Sequence, residues 1–229
     1  MAYSTSAELL AGVKFWAMRP GTDESISDTQ IYSLLSLGQM HVVGMFAIHF
    51  PEILYEAPGL MTTSDSGATY LFPSSVFPFG NVEIRSSRNG SLLIPGTDWD
   101  GTCDYVWEGD RIRIPNGKTR TFSDGPYCRY IKMPADISGS QEPTLEPAFA
   151  RPLIMYYALY LWAERGGGIN PVDPNKFLGM FQSAWAGDPR LNGDVGILGM
   201  LARQGYGSGM AATQVNQGQW WRGSPDLGS

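Results

Sequence analysis

The chain has 229 residues, with 16 Lys and Arg against 22 Asp and Glu, a net charge of −6 and only 17% charged residues. That length supports one sizeable core or two small ones without metals or disulfides, and the acidic balance, with no clustered Lys or Arg, excludes a surface built to grip a nucleic-acid backbone or an anionic membrane. With 43% apolar residues, 28 glycines, 16 prolines and 12% aromatics, the composition describes turn-rich structure with large, interface-forming side chains rather than a disordered, highly charged chain.

The first helical signal runs from Thr5 to Met18, apolar at Leu9, Leu10, Val13, Phe15 and Trp16 and stopped by Pro20-Gly21. Asp23-Glu24-Ser25-Ile26-Ser27-Asp28 then supplies helix-start chemistry, with Ser27 or Asp28 as the cap. Apolar residues at Ile31, Leu34, Leu35, Val42, Met45 and Phe46 predict a helix from Asp28 to Phe50, ended by Pro51, whose apolar face requires partner helices. No segment reads as the roughly twenty apolar residues of a membrane span. The nearest, Gln39 to Phe50, is short and carries His41 and His49. The early apolar group is preceded by polar rather than basic residues, so export behind a signal peptide is not expected.

From Thr69 the pattern changes to short β-like runs. Val82-Glu83-Ile84-Arg85 and Leu92-Leu93-Ile94 flank Asn89-Gly90, a hairpin turn in which both residues tolerate positive φ. Tyr105-Val106-Trp107 and Arg111-Ile112-Arg113-Ile114 flank Glu108-Gly109-Asp110, and the second run alternates charge with isoleucine, one face wet and one buried. Asn116-Gly117 marks a further turn and Tyr127 to Lys132 a last strand. These runs predict a compact antiparallel sheet or sandwich between helical blocks.

Helical character returns after Glu146-Pro147, through Phe149, Leu153, Tyr156, Tyr157, Tyr160 and Leu161 to Arg165, and Gly166-Gly167-Gly168 breaks it. Asp173-Pro174 opens a second aromatic helix with Phe177, Phe181, Ala184 and Trp185 on one face, closed by Asp188-Pro189. The remaining chain is rich in Gly, Gln and Asn, with a short apolar patch at Ile197 to Leu201 and an aromatic pair at Trp220-Trp221. The expected fold is therefore α+β: a helical bundle from residues 1–68 and 136–188, an antiparallel β-insert at 69–135, and a Gly-rich extended arm at 189–229.

Motifs for chemistry are sparse. Asn116-Gly117-Lys118-Thr119 lacks the earlier glycine of a phosphate loop, since that position is Ile112, and Gly205-x-Gly207-x-Gly209 lacks the strand and helix of a dinucleotide site. Asp98, Asp100 and Asp104 surround a glycine in an oxygen-rich turn, the only candidate metal ligands, without the spacing of a calcium loop. His41 and His49 lie about two helical turns apart, too far to share a metal. Cys103 and Cys128 fit no metal spacing and read as small core hydrophobes, with a disulfide as the alternative. No nucleophile signature is present, so no catalytic residues and no cofactor are assigned and the chain is not expected to be an enzyme. The candidate docking residues are Trp220, Trp221, Tyr206, Ile197, Leu198 and Leu201 in the tail and Trp99 and Trp107 in the β-region, because exposed tryptophans without a core are typical binding anchors.

The order of parts carries a resemblance. Ser27-Asp28-x-x-Ile31 opens the long helix, Tyr70-Leu71-Phe72-Pro73 enters the β-region, Tyr127-Cys128-Arg129-Tyr130-Ile131-Lys132-Met133-Pro134 leaves it, and Glu142-Pro143-Thr144-Leu145-Glu146-Pro147-Ala148-Phe149 leads into Leu153-Ile154-x-x-Tyr157-Ala158. From about Ser27 to Ala186 the chain resembles the head-to-tail adaptor (connector) proteins of tailed bacteriophages, including the podovirus adaptors called tail tubular protein A. The resemblance implies a structural virion protein at the head–tail junction. It would form a homo-oligomeric, commonly twelvefold ring beneath the portal protein, offer a platform to a tail or nozzle protein, and leave a channel through which DNA passes without sequence-specific binding, with no membrane partner. Low charge and many aromatics suit large subunit interfaces.

Two other classes compete. One is a glycan- or protein-binding module in which Trp99, Tyr105 and Trp107 form a stacking platform beside the acidic loop. The other is a hydrolase built from Asp98 and Asp104 or from Glu142 and Glu146, which has only composition behind it.

Overall fold

A computed structural model describes residues 4–17, 26–65, 69–77, 82–96, 103–115, 125–146, 148–166, 172–188 and 196–205. The fold is α+β. Helix α1 (Ser6–Ala17) begins where the Glu8 carboxylate accepts from the backbone N–H groups of Ser4 (2.7 Å) and Thr5 (3.1 Å). These bonds to the charged form hold that carboxyl below its usual range. Helix α2 (Asp28–His49) starts in a reciprocal capping box: Ser27 Oγ accepts from Gln30 N, and Gln30 Oε1 accepts from Ser27 N at 3.1 Å. Pro51 ends it by opening the one-turn helix α3 (Pro51–Leu54).

Helix α2 is the axis of the bundle. Among the described residues it is long and apolar enough by length and composition to cross a membrane, which corrects the expectation that no segment is. Over half of its apolar window is nevertheless buried inside the protein, packed against helix α4 (Pro152–Glu164) and α1. Gly38 makes the α2–α4 approach possible, since a Cβ there would sit 2.7 Å from the carbonyl oxygen of Ile154. Helix α5 (Pro174–Ala186), capped by the Asp173 carboxylate on Asn175 N (2.9 Å), packs on α4 and brings Phe177, Phe181 and Trp185 into the same core.

Two expectations on the carboxyl side are corrected. The fourth helix starts at Pro152 rather than after Pro147, because Ala148–Ala150 forms a separate 3₁₀ turn and the second proline takes the first helical turn. The segment given to an extended arm contains helix α6 (Gly196–Arg203). It folds back on α5 because Gly196 adopts φ +55° against the Trp185 carbonyl, where a Cβ would lie within 2.5 Å, and because Leu198 and Leu201 are buried.

The sheets begin earlier than residue 69. Strand β1 (Gly59–Leu60), β8 (Tyr127–Arg129) and β4 (Glu83–Arg85) form one antiparallel sheet in the order β1-β8-β4. The second sheet takes the order β2-β3-β7-β6-β5, from β2 (Thr62–Asp65), β3 (Thr69–Leu71), β7 (Arg111–Arg113), β6 (Tyr105–Glu108) and β5 (Pro95–Gly96). The expected β6–β7 hairpin is present, with Gly109 at φ +69° in its turn. The Asn89-Gly90 turn also closes, with Ser86 N on Ser91 O and Leu93 N on Ile84 O. The pairing is not wholly antiparallel, however, because β5 and β6 run parallel. The Asp104 carboxylate accepts from Ile94 N (3.0 Å) and Asp104 N donates to Ile94 O (2.7 Å), laying the two segments side by side in one direction. Asn116-Gly117 lies outside the described residues.

Both sheets share one core of Met61, Tyr70, Ile84, Leu93, Tyr105, Ile112, Ile114 and Cys128, separate from the bundle core. The joint between the two is made by Phe77 and Ile131, which belong to the bundle core although they flank the strands, with Phe77 N on Ile131 O at 2.8 Å. The chain then returns along α2. Gln39 Nε2 donates to Ala135 O (2.8 Å), Gln39 Oε1 accepts from Thr144 N (2.8 Å) and Leu145 N (3.3 Å), and Ser36 Oγ accepts from Ile137 N (2.9 Å).

His41 stacks flat on Tyr157, with centroids 3.8 Å apart and planes 6° from parallel, and Phe181 tilts against it at 5.8 Å. Its Nε2 is enclosed with no hydrogen-bond partner among the described residues. Burial lowers its pKa from the ordinary 6.5, as it does for His49 beside Trp185. The unfolded chain therefore takes up these protons at a higher pH than the folded one. The stability they contribute is complete above about pH 6.5 and is lost as pH falls.

Three outcomes are expected. Replacing Gly38 by Ala should force α2 from α4 and cost about 1–3 kcal/mol, and Gln39→Leu, which takes the acceptor from the buried Leu145 N–H and the part-buried Thr144 N–H, should cost a similar ~1–3 kcal/mol. Urea unfolding checks both, and losses under about 0.5 kcal/mol would sink the assignment. The wild-type urea midpoint should fall between pH 7 and pH 5, and His41→Phe, which keeps the stacked ring, should flatten that fall. An unchanged slope in the variant would show that the imidazole does not carry it.

Candidate docking surfaces

Of the three acids of the acidic turn, only Asp104 falls among the described residues. Asp98, Asp100 and Trp99 lie outside the described residues, and Asp104 is buried with its carboxylate on Ile94 N. No group of three metal-ligating side chains occurs among the described residues. Glu142 and Glu146 have separate structural attachments. Glu142 Oε2 accepts from Ser6 N (2.6 Å) and Oε1 from Ser6 Oγ (3.2 Å), capping α1, while Glu146 Oε1 accepts from Arg151 Nη2 (3.0 Å). Arg151 also donates through Nε to Leu145 O (3.0 Å) and through Nη1 to Ser4 O (2.5 Å). It thereby ties the chain's beginning to the segment that leads into α4.

One residue of the expected stacking platform is corrected. Tyr105 is only 3% exposed, a core residue of the sandwich, and its phenol is raised above its usual range by burial. Trp107 is 46% exposed and lies stacked on Phe72, with ring centroids 4.6 Å apart. Of the three platform residues, Trp107 is the one that the described residues show exposed, and its indole leans on a neighbour.

In the tail, Leu198 and Leu201 are buried and Ile197 is half-buried against the bundle core. These three therefore anchor α6 to α5 and are not free docking side chains. Tyr206, Trp220 and Trp221 lie outside the described residues. Neither cysteine is in a disulfide and both are buried, Cys128 in the core of the sheets, where burial pushes its thiol up to about 12.

The structure exposes apolar side chains that the sequence reading passed over. On the helices, Phe15 is 74% and Ile48 70% exposed, and Leu37 is also exposed. Leu37, Met40, Gly44 and Ile48 fall on one side of α2, opposite the row Ile31, Leu35, Val42 and Phe46 that enters the core. Helical phase read against that buried row was the signal available for them. In the sheets, Leu60, Leu92 and Ile94 are exposed. A groove of about 480 Å³ opens between the end of α2, α3 and the returning chain, lined among others by Val43, Ile53, Tyr55, Ile131, Met133 and Leu145.

In comparison with known proteins, no protein-family model and no curated protein matches the chain.

Proposed function

We propose that this chain is a structural virion protein, a head-to-tail adaptor that forms a twelvefold ring beneath a phage portal, joins the capsid vertex to a tail or nozzle protein and leaves a channel for DNA. The observation that carries the reading is the exposure of large apolar side chains on both the helical and the sheet parts of a chain with few charges: Phe15, Leu37 and Ile48 on one, Leu60, Leu92, Ile94 and Trp107 on the other. A ring subunit meets its two neighbours through different surfaces and meets further partners above and below. It therefore needs several apolar patches rather than one. The α+β architecture and the net charge of −6 support the same reading, since an acidic channel wall does not hold DNA by counterion release. Portal contact is assigned to the residues after Gly205, with Tyr206, Trp220 and Trp221 as anchors, because Ile197, Leu198 and Leu201 are engaged by α5. No cofactor and no catalytic step enter this function.

Light-scattering mass after size exclusion tests it, on the chain alone and mixed with the cognate portal ring. The expected outcome is a ring, or a monomer that joins the portal as a ring, with portal binding lost when residues 206–229 are deleted. A chain that stays monomeric and ignores the cognate portal overturns the reading.

A further inference from the structure

The outer face of the three-stranded sheet carries a row of four side chains set by register. Leu60 of β1 is opposite Tyr127 of β8, Tyr127 is opposite Arg85 of β4, and Arg85 is bridged to Leu92. Residues opposite one another in a ladder share a face. The alternate residues Gly59, Cys128, Ile84 and Leu93 belong to the inner side, where Cys128, Ile84 and Leu93 are core. Both ends of the outer row are open, Leu60 and Leu92 each 57% exposed. Beside Tyr127 and Arg85 runs the pair Glu83 and Arg129, with the Arg129 guanidinium 4.3 Å over the Tyr55 ring.

The charges on this face do not balance. Arg85 Nη2 (2.9 Å) and Arg129 Nη1 (3.4 Å) both donate to one oxygen, Oε2 of Glu83. Each guanidinium carries a fork of donors suited to a whole carboxylate. Here two of them share a single acceptor atom, and Arg85 Nε has no partner among the described residues. Both arginine side chains remain over a quarter exposed. In a chain of net charge −6 this is a local cationic spot between two exposed leucines, with Tyr and Arg, residue types that dominate binding energy, at its centre.

We infer that this face docks an extended segment of another protein that carries one carboxylate between two apolar side chains. Charge complementarity supplies the carboxylate and the row supplies the spacing. Strands lie about 4.8 Å apart, so Leu60 to Leu92 spans about 14 Å. An extended segment rises about 3.3 Å per residue and presents alternate residues to one side, placing residues i and i+4 about 13 Å apart with i+2 over the arginines. The motif is apolar-x-acid-x-apolar. With Leu, Ile, Val, Met, Phe, Tyr and Trp as the apolar set, this chain contains it once, at Phe50-Pro51-Glu52-Ile53-Leu54. There it spans helix α3 and its first apolar residue is buried. A second copy therefore does not offer the motif in extended form, and the occupant is a different chain. The inference stands apart from ring formation.

The test uses the full-length chain and the peptide acetyl-Gly-Leu-Ser-Glu-Ser-Leu-Gly-amide, with NMR shifts read at the Leu60 and Leu92 methyls and the Arg129 Nε–H. Saturable shifts at those groups are expected, at least about tenfold weaker for the peptide with Gln in place of Glu, for Arg129→Gln and for Arg85→Gln, and weakened by about 0.5 M salt. Leu92→Ser, on the exposed end of the row, should weaken binding while leaving the fold and the charges intact. Equal binding of the Glu and Gln peptides, no binding by about 10 mM peptide, or shifts confined to other surfaces would overturn the proposal. Concentration-dependent self-association of the wild type that Arg129→Gln abolishes would also overturn it, since the occupant would then be a second copy.

Discussion

The carboxamide of Gln39 is almost wholly buried, yet its nitrogen and its oxygen are both engaged by backbone from the returning chain, at Ala135, Thr144 and Leu145. A stretch without helix or strand has no ladder of its own to satisfy its peptide groups, and burying them unpaired costs about 1–3 kcal/mol each. Gln39 on α2 and Ser36, one turn before it, supply those partners from a helix face. The non-regular segment that leaves the sheets, most of it exposed, is thereby held against the bundle at a few points, with Ile137 and Leu145 inside the bundle core. Without that arrangement the second half of the bundle would have no fixed path to the first.

The rest of the helical part follows from the same stretch of α2. Gly38 is adjacent to Gln39 and faces α4 rather than the returning chain, so one turn of helix both admits α4 at close range and holds the segment that leads to it. Glu142 and Arg151 extend the tie to the amino-terminal helix through Ser6 and Ser4. Apolar burial supplies the driving force across this contact, and these few polar groups fix which elements meet.

Local signals in the sequence were legible and long-range ones were not. The Ser27 cap, the Pro51 stop, Asp173-Pro174 and the Gly109 turn are each decided by residues within a turn of one another, and each stands where the pattern put it. The capping of α1 by Glu142 joins residues 136 apart, and no spacing rule reaches that far. The parallel β5–β6 pair depends on one buried carboxylate, and in sequence Asp104 was indistinguishable from the other acids of its turn. Helix α6 is short and set among glycines, so its intrinsic propensity is poor and its formation rests on Leu198 and Leu201 finding α5. The same ambiguity touched the docking residues: an apolar side chain near a glycine-rich tail reads as an anchor until a partner helix in the same chain claims it.

The division into two cores has a chemical corollary. The chain has only two cysteines, both buried, Cys128 in the core of the sheets and Cys103 two residues before β6, while the bundle helices have none. A thiol held near 12 is almost entirely protonated at neutral pH, and its enclosure keeps reagents away, so alkylation of Cys128 waits on a transient opening of the sheets. The native chain thus carries an internal clock for one of its halves. The rate at which it consumes a thiol reagent counts openings of the sandwich, and excursions confined to the helices go unrecorded.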